Sequence, residues 1–264
     1  MTFRIGCQTI TFGESQRERL PQIFATLKSV GYEGVEMGLR HVLHLTPRGF
    51  HGLLKEHELN LIALHLGGNL DDAGQASGER KLLEKTLDYA NETGAKFILY
   101  SGLKDIKNEE LNPSIQMLNR AVTTCRERGV RLLYHPHNWE FADNMLILRA
   151  LLNESDPELG FCPDVGWLKL SHYPFFEFLE EIRGRLGAIH FKDFATSGQK
   201  FDTVELGKGI VPWADLAKWL NKNFNELWVI AEQDATKLTA EDAVARNADF
   251  CRTLLGLTGN QTAA

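Results

Sequence analysis

The chain has 264 residues, enough for one large α/β domain or two small ones. Its 43% hydrophobic and 24% charged residues suit a globular protein, and a net charge of -6 leaves no electrostatic footprint for nucleic acid. The start has no charged-then-apolar leader and no apolar run reaches membrane length; Cys7, Cys125, Cys162 and Cys251 lie far apart, so reduced thiols in a cytoplasmic protein are expected, not a disulfide or zinc framework.

Residues 3–9 alternate and read as a first strand, broken by Gly13 and Ser15. Residues 17–30 are helical, with Leu20, Ile23, Phe24, Leu27 and Val30 on one face, and Gly31 ends that helix. A short second strand, 34–37, carries Glu36. Residues 46–57 form a second helix, capped by Thr46 with Pro47 in its first position. A third strand, 59–65, ends at His65. Residues 78–93 place Leu82, Leu83, Leu87 and Ala90 at helical spacing, and Gly94 stops them. A fourth strand, 97–101, and a fourth helix, 113–128, follow.

The fifth strand, 130–135, ends on Tyr-His-Pro-His-Asn-Trp-Glu-Phe. Pro136 cannot donate to a sheet ladder and stops the strand. His135 and His137 leave it on one face, and Glu140 follows in the loop. A helix at 145–153 leads to a sixth strand, 159–164, that ends at Asp164. After a helix at 174–183 comes a seventh strand, 186–192, reading Leu-Gly-Ala-Ile-His-Phe-Lys. A glycine-containing loop runs to Trp213, then a helix over 213–222, an eighth strand over 227–232 and a last helix over 239–255, with Glu241 and Asp242 in its first turn. The tail 258–264 is expected to fray, leaving residues 1–257 as one domain.

Strict β-α alternation demands a parallel sheet with right-handed crossovers, and eight units in about 250 residues fit a closed (β/α)8 barrel. An open doubly wound sheet would want a glycine-rich phosphate loop after its first strand, and Gly6-Cys7-Gln8-Thr9 is not one. Catalytic groups of a barrel stand at the C-terminal ends of its strands. Those ends carry Glu36, His65, His135, His137 with Glu140, Asp164, His190 with Lys192 and Asp193, and Glu232 with Asp234. Glu140, Asp164, His190 and Glu232 would give three carboxylates and an imidazole, a hard site for one divalent metal, Mn2+ first, with Mg2+, Co2+ or Zn2+ behind it. Such an ion stabilises the enediolate formed when a proton leaves the carbon beside a carbonyl.

The chain resembles the sugar phosphate isomerase/epimerase superfamily, the xylose-isomerase-like TIM barrels that include inosose dehydratases and tagatose-type epimerases. The resemblance runs through Gly31-Tyr32-Glu33-Gly34-Val35-Glu36, His65, the 134–141 stretch, Pro163-Asp164-Val165-Gly166-Trp167, His190-Phe191-Lys192-Asp193, Gly207-Lys208-Gly209 and Ala231-Glu232-Gln233-Asp234. It implies the same ligands, Glu140, Asp164, His190 and Glu232. Where the epimerase branch has a glutamate on the fifth strand, this chain has His135.

The expectation is therefore a metal-dependent isomerase or epimerase of a small sugar or keto-sugar, with Glu140, Glu232 and His135 catalytic and His65, His137, Lys192, Glu36 and Trp167 on the substrate. A keto-sugar or inosose dehydratase-type lyase, with His135 or His137 as acid/base, is the alternative. A non-catalytic sugar-binding barrel and an endonuclease IV-like nuclease stand further off: the first would bury like charges without a cation, and the second needs more metals and a basic groove. The expected partner is a small carbohydrate, with neither nucleic acid nor membrane; a homo-oligomer stays open. Gly207-Lys208-Gly209 is too weak a pattern to claim a phosphate group.

Overall fold

A computed structural model describes residues 2–67, 76–104, 106–195 and 202–257. The strands are β1 (Thr2–Gln8), β2 (Gly34–Gly38), β3 (Asn60–Gly67), β4 (Phe97–Ser101), β5 (Arg131–Tyr134), β6 (Gly160–Phe161), β7 (Ala188–Phe191), β8 (Asp193–Phe194), β9 (Thr203–Val204) and β10 (Glu226–Ala231). Eight of them form one parallel sheet in the order β6-β5-β4-β3-β2-β1-β10-β7. The end strands meet through the parallel bridges Phe161–Leu186 and Asp164–His190, which close the sheet into the expected (β/α)8 barrel.

Around it lie α1 (Leu20–Ser29), α2 (Pro47–Glu56), α3 (Ala76–Thr93), α4 (Asn108–Glu127), α5 (Leu146–Asn153), α6 (Val165–Leu170), α7 (Phe175–Ile182), α8 (Trp213–Asn223) and α9 (Ala240–Leu254). None among the described residues is long and apolar enough to cross a membrane.

Most elements fall where their apolar periods place them, and the departures have local causes. The first helix starts at Leu20 rather than at residue 17, because Pro21 suits a first turn and nothing further in. Conversely, α4 starts upstream of Pro113, with the Glu110 carboxylate accepting the Lys107 N–H at 3.2 Å. The sixth strand is short because Asp164 turns the chain into α6, an unexpected helix that it caps by accepting the Trp167 N–H at 2.9 Å. The stretch read as a loop before Trp213 holds the β8–β9 hairpin. The frayed tail expected at 258–264 lies outside the described residues.

The core has two layers. Between sheet and helices lies a large cluster that includes Phe24, Val35, Phe50, Leu87, Tyr100, Phe178 and Val229. Inside the barrel sits a smaller one, Ile62, Ala63, Leu99, Leu133, Cys162, Ala188 and Ile230. Two large side chains fill that interior where nearby strands carry glycine. A Cβ on Gly6 would lie 2.1 Å from Ile62 Cδ1, and one on Gly160 would lie 2.3 Å from Leu133 Cδ2. Packing at interior density tolerates no such overlap, so bulk on one strand requires its absence on another.

One buried carboxylate organises the segment after β7. Asp193 accepts the backbone N–H groups of Phe194, Gly207, Gly209 and Val211 at 2.9–3.2 Å and the indole N–H of Trp213 at 2.9 Å. It therefore points into the loop, away from the other strand-end residues. The Gly207-Lys208-Gly209 amides at 207 and 209 are spent on this carboxylate and cannot grip a phosphate.

Leu133→Ala should lower the unfolding free energy by about 2–5 kcal/mol in urea titration, since it empties the middle of the barrel. Asp193→Ala should cost at least about 3 kcal/mol by leaving several buried donors unmatched, and limited proteolysis should then cut between residues 203 and 213 in the folded protein.

Candidate active site

Parallel strands deliver the residues at their C-terminal ends to one rim. Glu36 of β2, His65 of β3, His135 just past β5, Asp164 after β6, His190 of β7 and Glu232 after β10 all meet there. All but His65 are buried. Ligand-type atoms of His135, Asp164, His190 and Glu232 lie within 4.8 Å of one another.

Each of the four is held by a second contact. His135 Nδ1–H donates to the Cys162 carbonyl at 3.1 Å, which leaves the ring's lone pair on Nε2. Asp164 spends Oδ1 on the Trp167 N–H, and its buried Oδ2 has no hydrogen bond. His190 bonds Glu232 through Nδ1 and Glu36 through Nε2, the latter at 2.5 Å. Glu232 also faces Lys192 Nζ at 3.3 Å.

Lys192 is the internal cation of the site. Its Nζ lies 3.4 Å from Asp164, 3.3 Å from Glu232 and 3.0 Å from Asp234. Burial pulls its pKa down, but Glu232, Asp164 and Asp234 outweigh that and hold it above the usual lysine range. Burial likewise works against ionised Glu232, yet Lys192 and His190 keep it well below the usual carboxylate range. For His190 burial is overcome by Cys162, Glu36 and Glu232, so the ring is held cationic.

The other imidazoles behave oppositely. Burial drives His135 well below its ordinary value, with His190 and His137 adding to the effect. Burial also lowers His65, and takes His137 down to about 3. All three are neutral at physiological pH. Asp164 is pushed up to about 6, mainly by burial.

The structure differs from the expected ligand set at one position. Glu140 does not join Asp164, His190 and Glu232; His135 does. The Glu140 carboxylate accepts the Tyr134 hydroxyl at 2.7 Å and the His137 backbone N–H at 2.8 Å. Burial raises its pKa to about 7 despite those bonds. The reason is local: the 3-10 turn at Trp139–Phe141 brings Glu140 back onto the His137 N–H and the Tyr134 hydroxyl, where it anchors the loop.

The remaining predicted residues pack around the cluster. His137 packs edge-on against His135 at 4.7 Å and stacks on Trp139 at 4.1 Å, so the Trp139 ring already has a partner. His137 Nδ1 is buried without a hydrogen bond. Trp167 sits 5.7 Å from the His137 ring, with Lys192 Nζ 5.3 Å from its own ring centre. His65 Nε2 contacts Ser101 Oγ at 3.0 Å.

A cavity of about 190 Å³ opens beside the cluster, lined by Gln8, Gln16, His41, His65, Glu232 and Asp234 among others. Gln8, Gln16, His41 and Ser101 carry no sequence signal that separates them from ordinary polar residues.

A family model described as xylose isomerase-like TIM barrel matches residues 24–254. Inosose dehydratase of Geobacillus kaustophilus (strain HTA426) is 21% identical over 215 residues, 72% of this chain and 69% of that protein. A sugar phosphate isomerase/epimerase from Parabacteroides distasonis ATCC 8503 superposes with a TM-score of 0.77 at 19% identity, over 96% of this chain and 93% of the other. The IolI protein, crystallised with a zinc atom, superposes with a TM-score of 0.80 at 15% identity, over 98% and 100% of the two chains. Identities this low speak for the shared fold alone, while the family match spans nearly the whole barrel: this chain belongs to the xylose isomerase-like TIM barrel family.

Proposed function

We propose that this chain is a divalent-metal-dependent enzyme that removes a proton from the carbon beside the carbonyl of a small keto-sugar or keto-polyol, and that it completes the reaction as a dehydratase-type lyase. The observation that carries this reading is the His135, Asp164, His190 and Glu232 cluster with Lys192 packed against two of its carboxylates.

The donors fit a divalent ion. Buried Glu36, Asp164 and Glu232 face Lys192 and a cationic His190, and the exposed Asp234 pairs with Lys192 from the edge, so four carboxylates outnumber two cations by two formal charges. Asp164 Oδ2 stands without a hydrogen bond, and the Cys162 carbonyl orients His135 as outer-shell groups orient metal-bound imidazoles. Two imidazoles with two carboxylates move the preference from Mn2+ toward a shared field of Zn2+, Co2+ and Mn2+. When bound, the ion supplies Lewis acidity to the carbonyl and neighbouring hydroxyl oxygens.

The protein's own groups divide the rest of the work. Glu232, ionised and at the cavity wall, takes the proton. Lys192 gives a proton to the departing hydroxyl, which leaves as water, and regains one from Glu232, 3.3 Å away, which holds the proton taken from carbon. Neutral His65 and His137 hydrogen-bond substrate hydroxyls, and Trp167 offers an apolar wall. An epimerase built on two opposed carboxylates would need Glu140 facing Glu232, but Tyr134 and His137 hold the Glu140 oxygens. That favours elimination by one base over return of the proton by a second carboxylate.

Metal-stripped protein should be inactive on a keto-inositol and recover with Zn2+, Co2+ or Mn2+. In D2O the product should be a conjugated enone, seen by ultraviolet absorbance. Full turnover in chelator would remove the metal, and an epimer formed with all hydroxyls retained would replace the lyase by an epimerase. In direct titration His135→Ala should weaken Zn2+ binding at least about tenfold, as expected for a lost ligand, while Glu140→Gln should bind within a factor of about three of wild type and lose turnover through a misplaced His137. The opposite pattern would return Glu140 to the metal.

A further inference from the structure

The register between β2 and β3 shifts at one place: Val35 pairs with Leu61, but Glu36 pairs with Ala63, so Ile62 is the extra residue of a bulge. A bulge adds twist and re-aims the side chain beside it. Ile62 is accommodated because Gly6 and Gly34 present no Cβ to it; a Cβ there would lie 2.1 Å from Ile62 Cδ1 and 2.8 Å from Ile62 Cγ1. The re-aimed side chain is Glu36, fully buried, which reaches past β1 and β10 to the far side of the barrel mouth.

There Glu36 Oε2 meets His190 Nε2 at 2.5 Å, while His190 Nδ1 turns to Glu232. Its other oxygen, Oε1, lies 3.7 Å from His65 Nδ1 and has no hydrogen bond. We propose that Glu36 is a positioning residue: it holds the Nε2–H of His190 so that Nδ1 is the nitrogen offered to the ion. This rests on the metal-centre reading above and replaces the direct substrate contact expected for Glu36 from sequence.

The alternatives are weaker on the same geometry. A substrate ligand would keep a carboxylate oxygen free for hydroxyls, but Glu36 Oε2 is taken by His190 and the buried Oε1 faces the His65 ring at 3.7 Å. A metal ligand would stand with the four clustered residues, and Glu36 lies behind His190 instead. Anchoring a ligating imidazole through its second ring nitrogen is worth about 10–100-fold in metal affinity.

The test uses the full chain and Zn2+ alone. Glu36→Leu should weaken Zn2+ binding about 10–100-fold, and Glu36→Gln, which keeps an acceptor, should lose less. In the metal-free protein, 15N-edited NMR of the His190 ring should show Nε2 protonated and hydrogen-bonded in wild type, and that signature should be lost in Glu36→Leu and retained in part by Glu36→Gln. Unchanged affinity and an unchanged ring spectrum in both variants would overturn the proposal, as would a rise in KM with both readouts intact, which would return Glu36 to the substrate. Wild-type protein that takes up no Zn2+ would remove the metal reading, and the ring spectrum would still decide whether Glu36 holds His190.

Discussion

An excess of buried negative charge at the barrel mouth is the constraint on which the rest depends. Three buried carboxylates, Glu36, Asp164 and Glu232, crowd together with Asp234 at their exposed edge, and an unpaired charge among the buried ones is costly. The protein answers first with Lys192, drawn in among Asp164, Glu232 and Asp234, and then with His190 held between Glu232 and Glu36. The remaining charge is what a divalent ion would neutralise. Read this way, Lys192 and the ion are complementary: the ammonium sets how many positive charges the centre still wants.

Holding such a cluster requires a scaffold that does not yield. The barrel closes at β6 and β7 through few bridges, and one of these joins Asp164 to His190, so the closure itself brings two of the clustered residues side by side. Leu133 fills the space below, against Gly160 and Gly187. On the opposite wall the Ile62 bulge turns Glu36 inward. Asp193 then pins the segment after β7, and so fixes the strand end that carries His190 and Lys192. Apolar bulk, missing side chains and one buried carboxylate are thus parts of a single support.

Much of this could be read in the sequence. Eight apolar runs alternating with helical periods specify a barrel, and the rule that barrel sites gather at C-terminal strand ends picks out Glu36, His65, His135, Asp164, His190, Lys192 and Glu232. These are signals of period and position, which a linear chain carries. The β8–β9 hairpin and α6 escaped because two-residue strands and a six-residue helix are too short to show a period. Which glycines face which bulky side chain, and that the Gly207-Lys208-Gly209 amides serve Asp193, depend on neighbours far apart in the chain.

Glu140 shows most sharply where linear reasoning stops. A carboxylate five residues past His135 at a strand mouth looks like a ligand, since carboxylates suit hard ions better than imidazoles do. Its fate is decided by two donors that spacing does not reveal, the Tyr134 hydroxyl and the His137 amide. Once both Glu140 oxygens are engaged beneath the loop, the group left facing Asp164, His190 and Glu232 is the imidazole of His135, itself oriented by the Cys162 carbonyl. Exchanging a carboxylate for a neutral ring at that place removes one negative charge from the centre and one base from the substrate's side, so the same local turn bears on both the metal preferred and the reaction favoured.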